Sequence, residues 1–413
     1  MQAAFIFARV KTVPIVLALN PGSNSLKFDL VEVDERHRYA CESKSLLSGS
    51  IEDIGRLGKV QVARRGQTIH SEEKRIADYK EATEFALKLL KDPEVNERER
   101  LPRAELAAIR VVHGGDRFRE AVRLDNDVRR EIEGRKKLAP LHNANSLRIA
   151  DALAEQSPKT SIAVAFDTAF HHTIPETAWR YPLNREIADR YGIRRYGFHG
   201  LSHRYMLERY SFLSGRSPQD ISAVTLHLES GSSAAAIKNG RSVDTSMGFT
   251  PLEGLMMGTR CGSIDPAIVL FLVEEAGMTI DEVTKLLEKQ SGLLGISGVS
   301  LDTRILRKRD DAQSKQAIEM FAYRVRQFVG AYLAVLERAE VVIFGGGIGE
   351  NTPEVRNYVC RGFEGWGLEL DAAISEATVE GDKQISTGLS KLGAWVIHSE
   401  EGLQLAHECA QVL

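Results

Sequence analysis

The chain has 413 residues, 43% of them hydrophobic, and a formal charge of -3 from 54 basic and 57 acidic side chains. That balance removes the electrostatic case for a nucleic-acid partner or a strongly basic membrane surface, and leaves room for small anions held by local charge. A chain longer than roughly 250–300 residues divides into domains, and two are expected, each with its own core.

The opening "MQAAFIFARVKTVPIVLAL" has no basic region ahead of its apolar part, and Lys11 and Pro14 break the run. It reads as an extension before a buried strand rather than a secretory leader. No stretch approaches the ~18 apolar residues of a membrane helix. The cysteines, Cys41, Cys261, Cys360 and Cys409, form no CxxC pair and no His/Cys cluster, so neither a zinc site nor a disulfide scaffold is indicated and a reducing cytoplasm fits.

Residues 13–33, "VPIVLALNPGSNSLKFDLVEV", predict strand, turn, alternating strand. "AAIRVVHGGD" is a short strand into a Gly-Gly turn, "VRREIEGRKKL" is helix-forming with Gly134 as its weak point, and "SIAVAFDTAF" is a buried strand ending at Asp167. "FHGLSHRYMLERYSFLSG" turns helical near Ser202 and stops near Gly215. "TLHLESGSSAAAI" then repeats the design of the first unit, strand, Gly/Ser turn, strand, which points to either an internal duplication or two unrelated hairpins.

Helical patterns dominate the chain beyond Asp265. "DPAIVLFLVEEAG" opens with Asp and Pro, and in "TIDEVTKLLEKQSG" Thr279 and Glu282 predict a capping box. In "QAIEMFAYRVRQFVGAYLAVLERA", Ile318, Phe321, Val325, Phe328, Val329 and Tyr332 share one face. "EVVIFGGGIGENTPEVRNYV" reads as a strand, a triple-glycine turn and a helix beginning after Asn351. Strands alternating with long helices predict an α/β fold.

Glycine-rich turns follow apolar strands at "NPGSNS", "VHGG", "ESGSS" and "GGGIGEN". Glycine admits close approach, and successive N–H groups can cradle phosphate oxygens. None has the GxxxxGK[ST] form of a Walker A loop. Lys27 beside the first turn is either a solvated strand lysine or a phosphate contact. Arg110, inside an apolar strand, and Arg260, inside the apolar loop "LEGLMMGTRCGSIDP", each need an anionic partner, either a structural acid or a bound carboxylate or phosphate. Asp167 at a strand end could bind Mg²⁺, orient water or act as a base. His199 in "YGFHGLSH" could donate to a transferring oxygen, and both also suit plain structural roles.

The combination resembles the acetate kinase family from about Val13 to the C-terminus. The motifs "NPGSNSLKF", "RVVHGG", "APLHN", "FDTAFHHTIP", "RRYGFHGLSH", "DTSMGFTPLEGLMMGTRCGSIDP", "SGLLGISGVSLDTR", "GGGIGEN" and "SEE" occur in the family's order. The resemblance implies an acetate and sugar kinase/Hsp70/actin-type fold of two similarly built α/β domains around a central cleft. The first domain is expected at 13–170 plus 399–413 and the second, for nucleotide binding and dimerisation, at 171–398. It implies a cytoplasmic homodimer that converts ATP and acetate reversibly to ADP and acetyl phosphate with Mg²⁺ (Mn²⁺ as a substitute). The alternatives are a propionate or butyrate kinase, or a weakly active nucleotide-binding paralogue with a regulatory role.

By the same resemblance, Arg110, Arg260, Asp167 and His199 are the catalytic set, and His142 is a further cleft histidine. Val112, Leu141, Phe198 and Pro251, with Arg110, hold the small acid. Asn20, Ser23, Ser25, Lys27, His227, Ser230 and Gly231 face the phosphates. Asp302, Thr303, Arg304, Gly347, Ile348 and Asn351 form the nucleoside end. Asn20, Glu401 and Asp167 surround the metal. The chain departs from the family where "HLESGSS" replaces the usual "HLGNGSS", placing Glu229 and Ser230 in a phosphate turn. Ile109 and Asn24 also replace a usual His and Ser. The Glu229 carboxylate is expected to point away from the γ-phosphate path, leaving the backbone and Ser230 to face it.

Overall fold

The computed structural model describes residues 13–34, 36–93, 95, 101–135, 140–377 and 381–412, the side chains of residues 140 and 141 excepted. The first sheet comprises β1 (Ile15–Pro21), β2 (Leu26–Glu32), β3 (Lys44–Ile51), β4 (Leu57–Arg64), β5 (Gln67–Arg75), β6 (Leu106–Val111), β7 (Val122–Arg123) and β8 (Ser161–Phe166). The second comprises β9 (Ala223–Leu228), β10 (Ser232–Lys238), β11 (Arg241–Thr245), β12 (Val341–Gly345), β13 (Lys383–Gln384) and β14 (Gly393–Val396). The strand orders are β5-β4-β3-β2-β1-β6-β8-β7 and β11-β10-β9-β12-β14-β13.

Five consecutive strands match in pairing sense between the two sheets. β3-β2-β1 are antiparallel and β1-β6-β8 parallel. β11-β10-β9 are antiparallel and β9-β12-β14 parallel. The two strand–turn–strand units of the sequence therefore hold equivalent places, which favours duplication over coincidence. β1 and β9 are buried at every residue, as strands covered on both faces must be.

Helices fill the space between the sheets. Gly200–Ser214 and Glu401–Ala410 contribute Leu201, Met206, Leu403 and Ala406 to one core that also takes Val16 and Ala108 from the first sheet and Ala223 and Ile343 from the second. The far face of the second sheet is covered by Ala312–Leu336, which buries Phe321, Val325, Val329 and Tyr332 as its periodicity predicts, while Ile318 and Phe328 sit at the rim. Thr279 and Glu282 form the expected capping box. The Asn126–Gly134 helix ends on Gly134, and residues 136–138 of that predicted segment lie outside the described residues.

The triple glycine departs from expectation. A helix starts on the glycines themselves, Gly346–Asn351, and a second one starts at Pro353–Cys360. Gly346 has φ 75°, and a Cβ there would meet the Leu228 carbonyl oxygen at 2.7 Å, so the position requires glycine. Its N–H is capped from one turn ahead by Glu350 Oε1 at 2.9 Å, a device that no Ser, Thr or Asp at the helix start announces.

The parallel strands β1, β6, β8, β9 and β12 deliver Pro21, Val112, Asp167, Glu229 and Gly346 at or just past their carboxyl ends, where open α/β sheets bind ligands.

Candidate active site

Of these residues, Pro21, Val112, Asp167 and Glu229 line a cavity of about 190 Å³ between the two sheets. It is lined by Asn20, Ser23, Ser25, Lys27, Arg110, Val112, His142, Asp167, Phe198, His199, His227, Ser230, Gly231, Pro251, Arg260 and Glu401, and also by Gly22, Asn24 and Glu229. Fifteen of the residues singled out for catalytic, substrate, phosphate or metal roles thus meet in one place, together with His142. Leu141 lies at the start of the Pro140–Gln156 helix, with its side chain outside the described residues.

Arg110 is the hub on the first-sheet side. Its Nε and Nη2 donate to the two oxygens of Asp167 at 2.7 and 2.6 Å, and Nη1 donates to Asn20 Oδ1 at 2.8 Å. Asn20 Nδ2 donates in turn to Glu401 Oε2 at 2.7 Å, which lies 3.6 Å from Arg110 Nη1. Burial disfavours the guanidinium charge, but Asp167 and Glu401 more than offset it and raise its pKa. Burial pushes the Asp167 carboxyl upward, opposed by the Arg110 fork. Burial also works upward on Glu401, yet Arg110, His227, Lys27 and the Asn20 amide together hold it down at about 2. Of the adjacent acids, Glu401 faces the cavity, while Glu400 lines another with Arg209, Asp382 and His398.

His199 and His227 come from beyond residue 170, and His142 from the Pro140–Gln156 helix. His199 precedes the Gly200–Ser214 helix with φ 57°, an uncommon conformation for a residue with a side chain, and the Gly200 N–H donates to the Asp167 carbonyl at 3.0 Å. His199 Nδ1 lies 2.9 Å from Ser233 Oγ, which is 2.8 Å from His203 Nε2, whose Nδ1 is 2.8 Å from Thr225 Oγ1. Burial, with His227 and Arg110 nearby, drives the His199 pKa well below its ordinary value, so the ring is neutral. His142 is likewise brought down to about 4 by burial, helped by Arg260 and Arg110, and its buried Nδ1 has no hydrogen-bond partner among the described residues.

Arg260 contrasts with Arg110. Its Nη1 donates to the Pro251 carbonyl at 2.9 Å, and among the described residues no carboxylate lies within 4 Å of it. Burial lowers its pKa, and only Glu288 works against that. Val112 and Phe198 belong to a small separate apolar cluster with Tyr196, Met247 and Met257, which gives the cavity a dry wall.

Glu229 does not point away from the cleft. One carboxylate oxygen lies 3.8 Å from Lys27 Nζ and the other 3.7 Å from His227 Nε2. The attraction of the Lys27 ammonium explains the inward orientation. Glu229 is also the first cause of the raised Lys27 pKa, ahead of the opposing effect of burial.

The six residues expected at the nucleoside end do not line this cavity. They adjoin one another beside it. Asp302 Oδ1 caps the Thr303–Leu306 helix at the Arg304 N–H, 2.8 Å away, and the exposed Arg304 pairs with Asp302. Thr303 Oγ1 lies 3.3 Å from Thr352 Oγ1, next to Asn351, whose Nδ2 donates to the Gly347 carbonyl at 3.0 Å. Ile348 is buried, and Gly347 faces Glu229. The two groups of predicted residues therefore join through Gly347 and Glu229.

Sequence reasoning missed Glu350. Its Oε1 accepts from the Gly346 and Ser399 N–H groups at 2.9 and 3.2 Å, and its Oε2 accepts from His398 Nδ1 at 2.6 Å. One buried acid thus ties the glycine loop to the segment that carries Glu401. Its place four residues after Gly346 in "GGGIGEN" was the available signal. The Glu350 contact raises the His398 pKa to about 9 from 6.5. Its stabilising effect is full below pH 6.5 and is lost as pH rises through about 9. Melting curves from pH 6 to 10 should therefore show an alkaline loss, small (about 1 kcal/mol or less) because His398 is 61% exposed, that Glu350→Gln removes. An unchanged alkaline loss in the variant would assign it to other groups.

The chain matches the model of the acetokinase family over residues 15–407. It is 41% identical over 404 residues to an acetate kinase of Clostridium botulinum (strain Loch Maree / Type A3), covering 96% of this chain and 99% of the relative. It is 41% identical over 408 residues to an acetate kinase of Solibacter usitatus, covering 96% and 98%. Among solved structures, the acetate kinase of Porphyromonas gingivalis superposes with TM-score 0.86 at 34% identity, covering 97% of this chain and 99% of that one. A propionate kinase of Francisella tularensis gives 0.86 at 32%, covering 97% and 100%. With the sheets, the cleft and the clustered motifs described above, the chain belongs to the acetokinase family.

Proposed function

We propose that the cavity is the transfer site of an ATP-dependent acetate kinase, in which an acetate oxygen attacks the terminal phosphorus of ATP in line and yields acetyl phosphate and ADP reversibly. The observation that carries this reading is the unequal condition of the two arginines. Arg110 is neutralised by Asp167, whereas Arg260 faces the cavity without an acid and so suits an anion from solution. A carboxylate is a competent nucleophile at neutral pH, so no base is needed to create it. The barrier lies in bringing two anions together and in the charge that spreads over the transferred group, and fixed cations lower both.

Asp167 spends both oxygens on Arg110, which fits a positioning role for it and a fixed geometry for the guanidinium. If the chain Thr225, His203, Ser233, His199 donates in that order, His199 accepts at Nδ1 and keeps an Nε2–H for the transferring oxygens. Gly231 leaves room there, since a Cβ on it would stand 3.4 Å from His199 Nε2. Val112, Phe198 and Pro251, with Leu141, are assigned to the methyl group, and Ser23, Ser25, Lys27, His227, Ser230 and Gly231 to the phosphates. Asp302, Thr303, Arg304, Gly347, Ile348 and Asn351 are assigned to the nucleoside end.

Among the described residues no group of three or more His, Cys, Asp or Glu stands ready to hold a metal ion. Mg²⁺ commonly takes one or two carboxylates and completes its shell with phosphates and water. The ionised Glu401 and its neighbour Asn20 fit that pattern and would hold the ion, with Asp167 as a further carboxylate across Arg110. When bound, the ion supplies charge neutralisation at the transferring phosphates.

The cores support units at 13–170 plus 399–413 and at 171–398, because the Glu401–Ala410 helix returns to pack on β1, β2 and β6. A homodimer through the second unit fits the Ala267–Glu274 helix, which buries none of its residues and exposes Ile268, Leu270 and Phe271. The four cysteines are unpaired, in keeping with a cytoplasmic setting, and no helix of the described residues is long and apolar enough to cross a membrane.

The similarity to a propionate kinase keeps propionate as the second reading. A hydroxamate assay with ATP, Mg²⁺ and acetate, propionate or butyrate should give the highest kcat/KM with acetate. A preference for a longer acid would reassign the substrate. Nucleotide binding without turnover of any acid would leave only the regulatory reading.

A further inference from the structure

Lys27 and Glu229 come from opposite sheets. Lys27 is the second residue of β2, and Glu229 follows β9 at the start of the β9–β10 turn. Their charged groups meet 3.8 Å apart at the cavity, with the side chains 58% and 46% exposed. Glu229 also approaches Gly347, where a Cβ would stand 3.9 Å from its Oε1. The carboxylate therefore lies where the Lys27 segment, the Ser230–Gly231 turn and the Gly347 helix start come together. This is the junction between the nucleoside end and the transfer cavity, and a phosphate chain joining the two has to pass it.

The turn does not need this side chain. Its backbone does the structural work: Glu229 N–H donates to the Gly231 carbonyl at 3.2 Å, and Ser232 Oγ donates to the Glu229 carbonyl at 2.9 Å. No hydrogen bond to the carboxylate is found among the described residues. What it does make is a loose ion pair with Lys27, while its other oxygen lies 3.7 Å from His227 Nε2. An exposed ion pair of this kind is weak enough to exchange, and a phosphate group is the more highly charged competitor for Lys27.

We propose that Glu229 is a specificity-determining gate on the nucleotide: it holds Lys27 across the cleft and must surrender it to incoming phosphates. The carboxylate weakens nucleotide binding in two ways. It occupies the lysine, and it repels the phosphate chain at close range. Acetate meets neither effect, because its expected contacts are Arg110 and the wall of Val112, Leu141, Phe198 and Pro251. ATP, with one more negative charge than ADP, meets the larger penalty. The gate therefore sets the nucleotide concentration at which the site fills and the balance between ATP and ADP.

This inference rests on the kinase reading of the cavity, and the test separates the two. Glu229→Gln keeps the size of the side chain and removes the charge. With the full chain and excess Mg²⁺, the variant should bind ADP about 3- to 10-fold more tightly by calorimetry, and its KM for ATP should fall further, about 5- to 30-fold. Its KM for acetate should stay within two-fold of wild type. The gain should shrink as salt rises from 0.05 to 0.5 M, as a partly exposed charge effect must. An ADP affinity within two-fold of wild type would make the carboxylate a bystander and overturn the proposal. Weaker binding would overturn it too, by making the acid part of the nucleotide site. A wild-type chain that turns over no short carboxylate contradicts the kinase reading, while the ADP titration still decides the gate.

Discussion

Replacing Arg260 by alanine should abolish phosphoryl transfer and leave the fold standing. Arg260 is half-buried, and among the described residues its side chain bonds only to the Pro251 carbonyl and the Met257 sulfur and has no carboxylate within 4 Å. Burial lowers its pKa, so the fold carries this charge at a cost. Truncation relieves that cost, and the melting temperature should stay level or rise. Activity should move the other way. Arginines aimed at a transferring phosphoryl group are worth about 10³- to 10⁵-fold in rate. A fall of about 10³-fold or more in kcat/KM for acetate, with an unchanged far-UV spectrum and a thermal midpoint no lower than wild type, is the expected pair of results. Turnover within ten-fold of wild type would remove Arg260 from the transfer site.

That expectation depends on a contrast the sequence carries only in part. Arg110 and Arg260 both stand in apolar stretches, and residue type alone predicts that each needs an anion. Which one already has it depends on strand pairing. Asp167 reaches Arg110 because β6 and β8 run parallel, with Arg110 opposite Ala165, Val111 opposite Phe166 at the end of β8, and Asp167 one step beyond. Among the described residues no acid is set within 4 Å of Arg260. The two strand–turn–strand units were legible because both strands and both turns are local signals. The outer strands β4 and β5 were not, since β5 (QTIHSEEKR) buries no residue fully and offers no apolar alternation. The helix start at Gly346 was hidden for the opposite reason: glycine is a strong turn signal, and the cap comes from Glu350 further along the chain. The orientation of Glu229 lay beyond local reading because Lys27, which draws it inward, is some 200 residues earlier.

Arg110→Ala should damage both fold and activity, and a second change should separate the two. Asp167 is 1% exposed and accepts both of its side-chain hydrogen bonds from Arg110. Without the guanidinium it becomes a buried carboxylate with no compensating charge beside it, a situation that costs about 3–5 kcal/mol. Glu401 also loses its strongest stabilising partner. The penalty depends on pH in a definite direction. Burial already pushes the Asp167 pKa upward, and removing Arg110 removes the main opposition. In the variant, the folded state therefore takes up a proton more readily than the unfolded chain. The deficit should be largest above neutrality and shrink as pH falls toward 5. Denaturant melts of wild type and variant at pH 5 and pH 8 measure this, and a deficit that grows on acidification would contradict it. Asp167→Asn added to Arg110→Ala removes the stranded charge and should restore most of the stability at pH 8. It should not restore transfer, because the cation that faces the transferred group is still absent. If the double variant regains turnover as well as stability, Arg110 serves only to neutralise Asp167, and the charge on the transferred phosphoryl group is met from the Arg260 side alone.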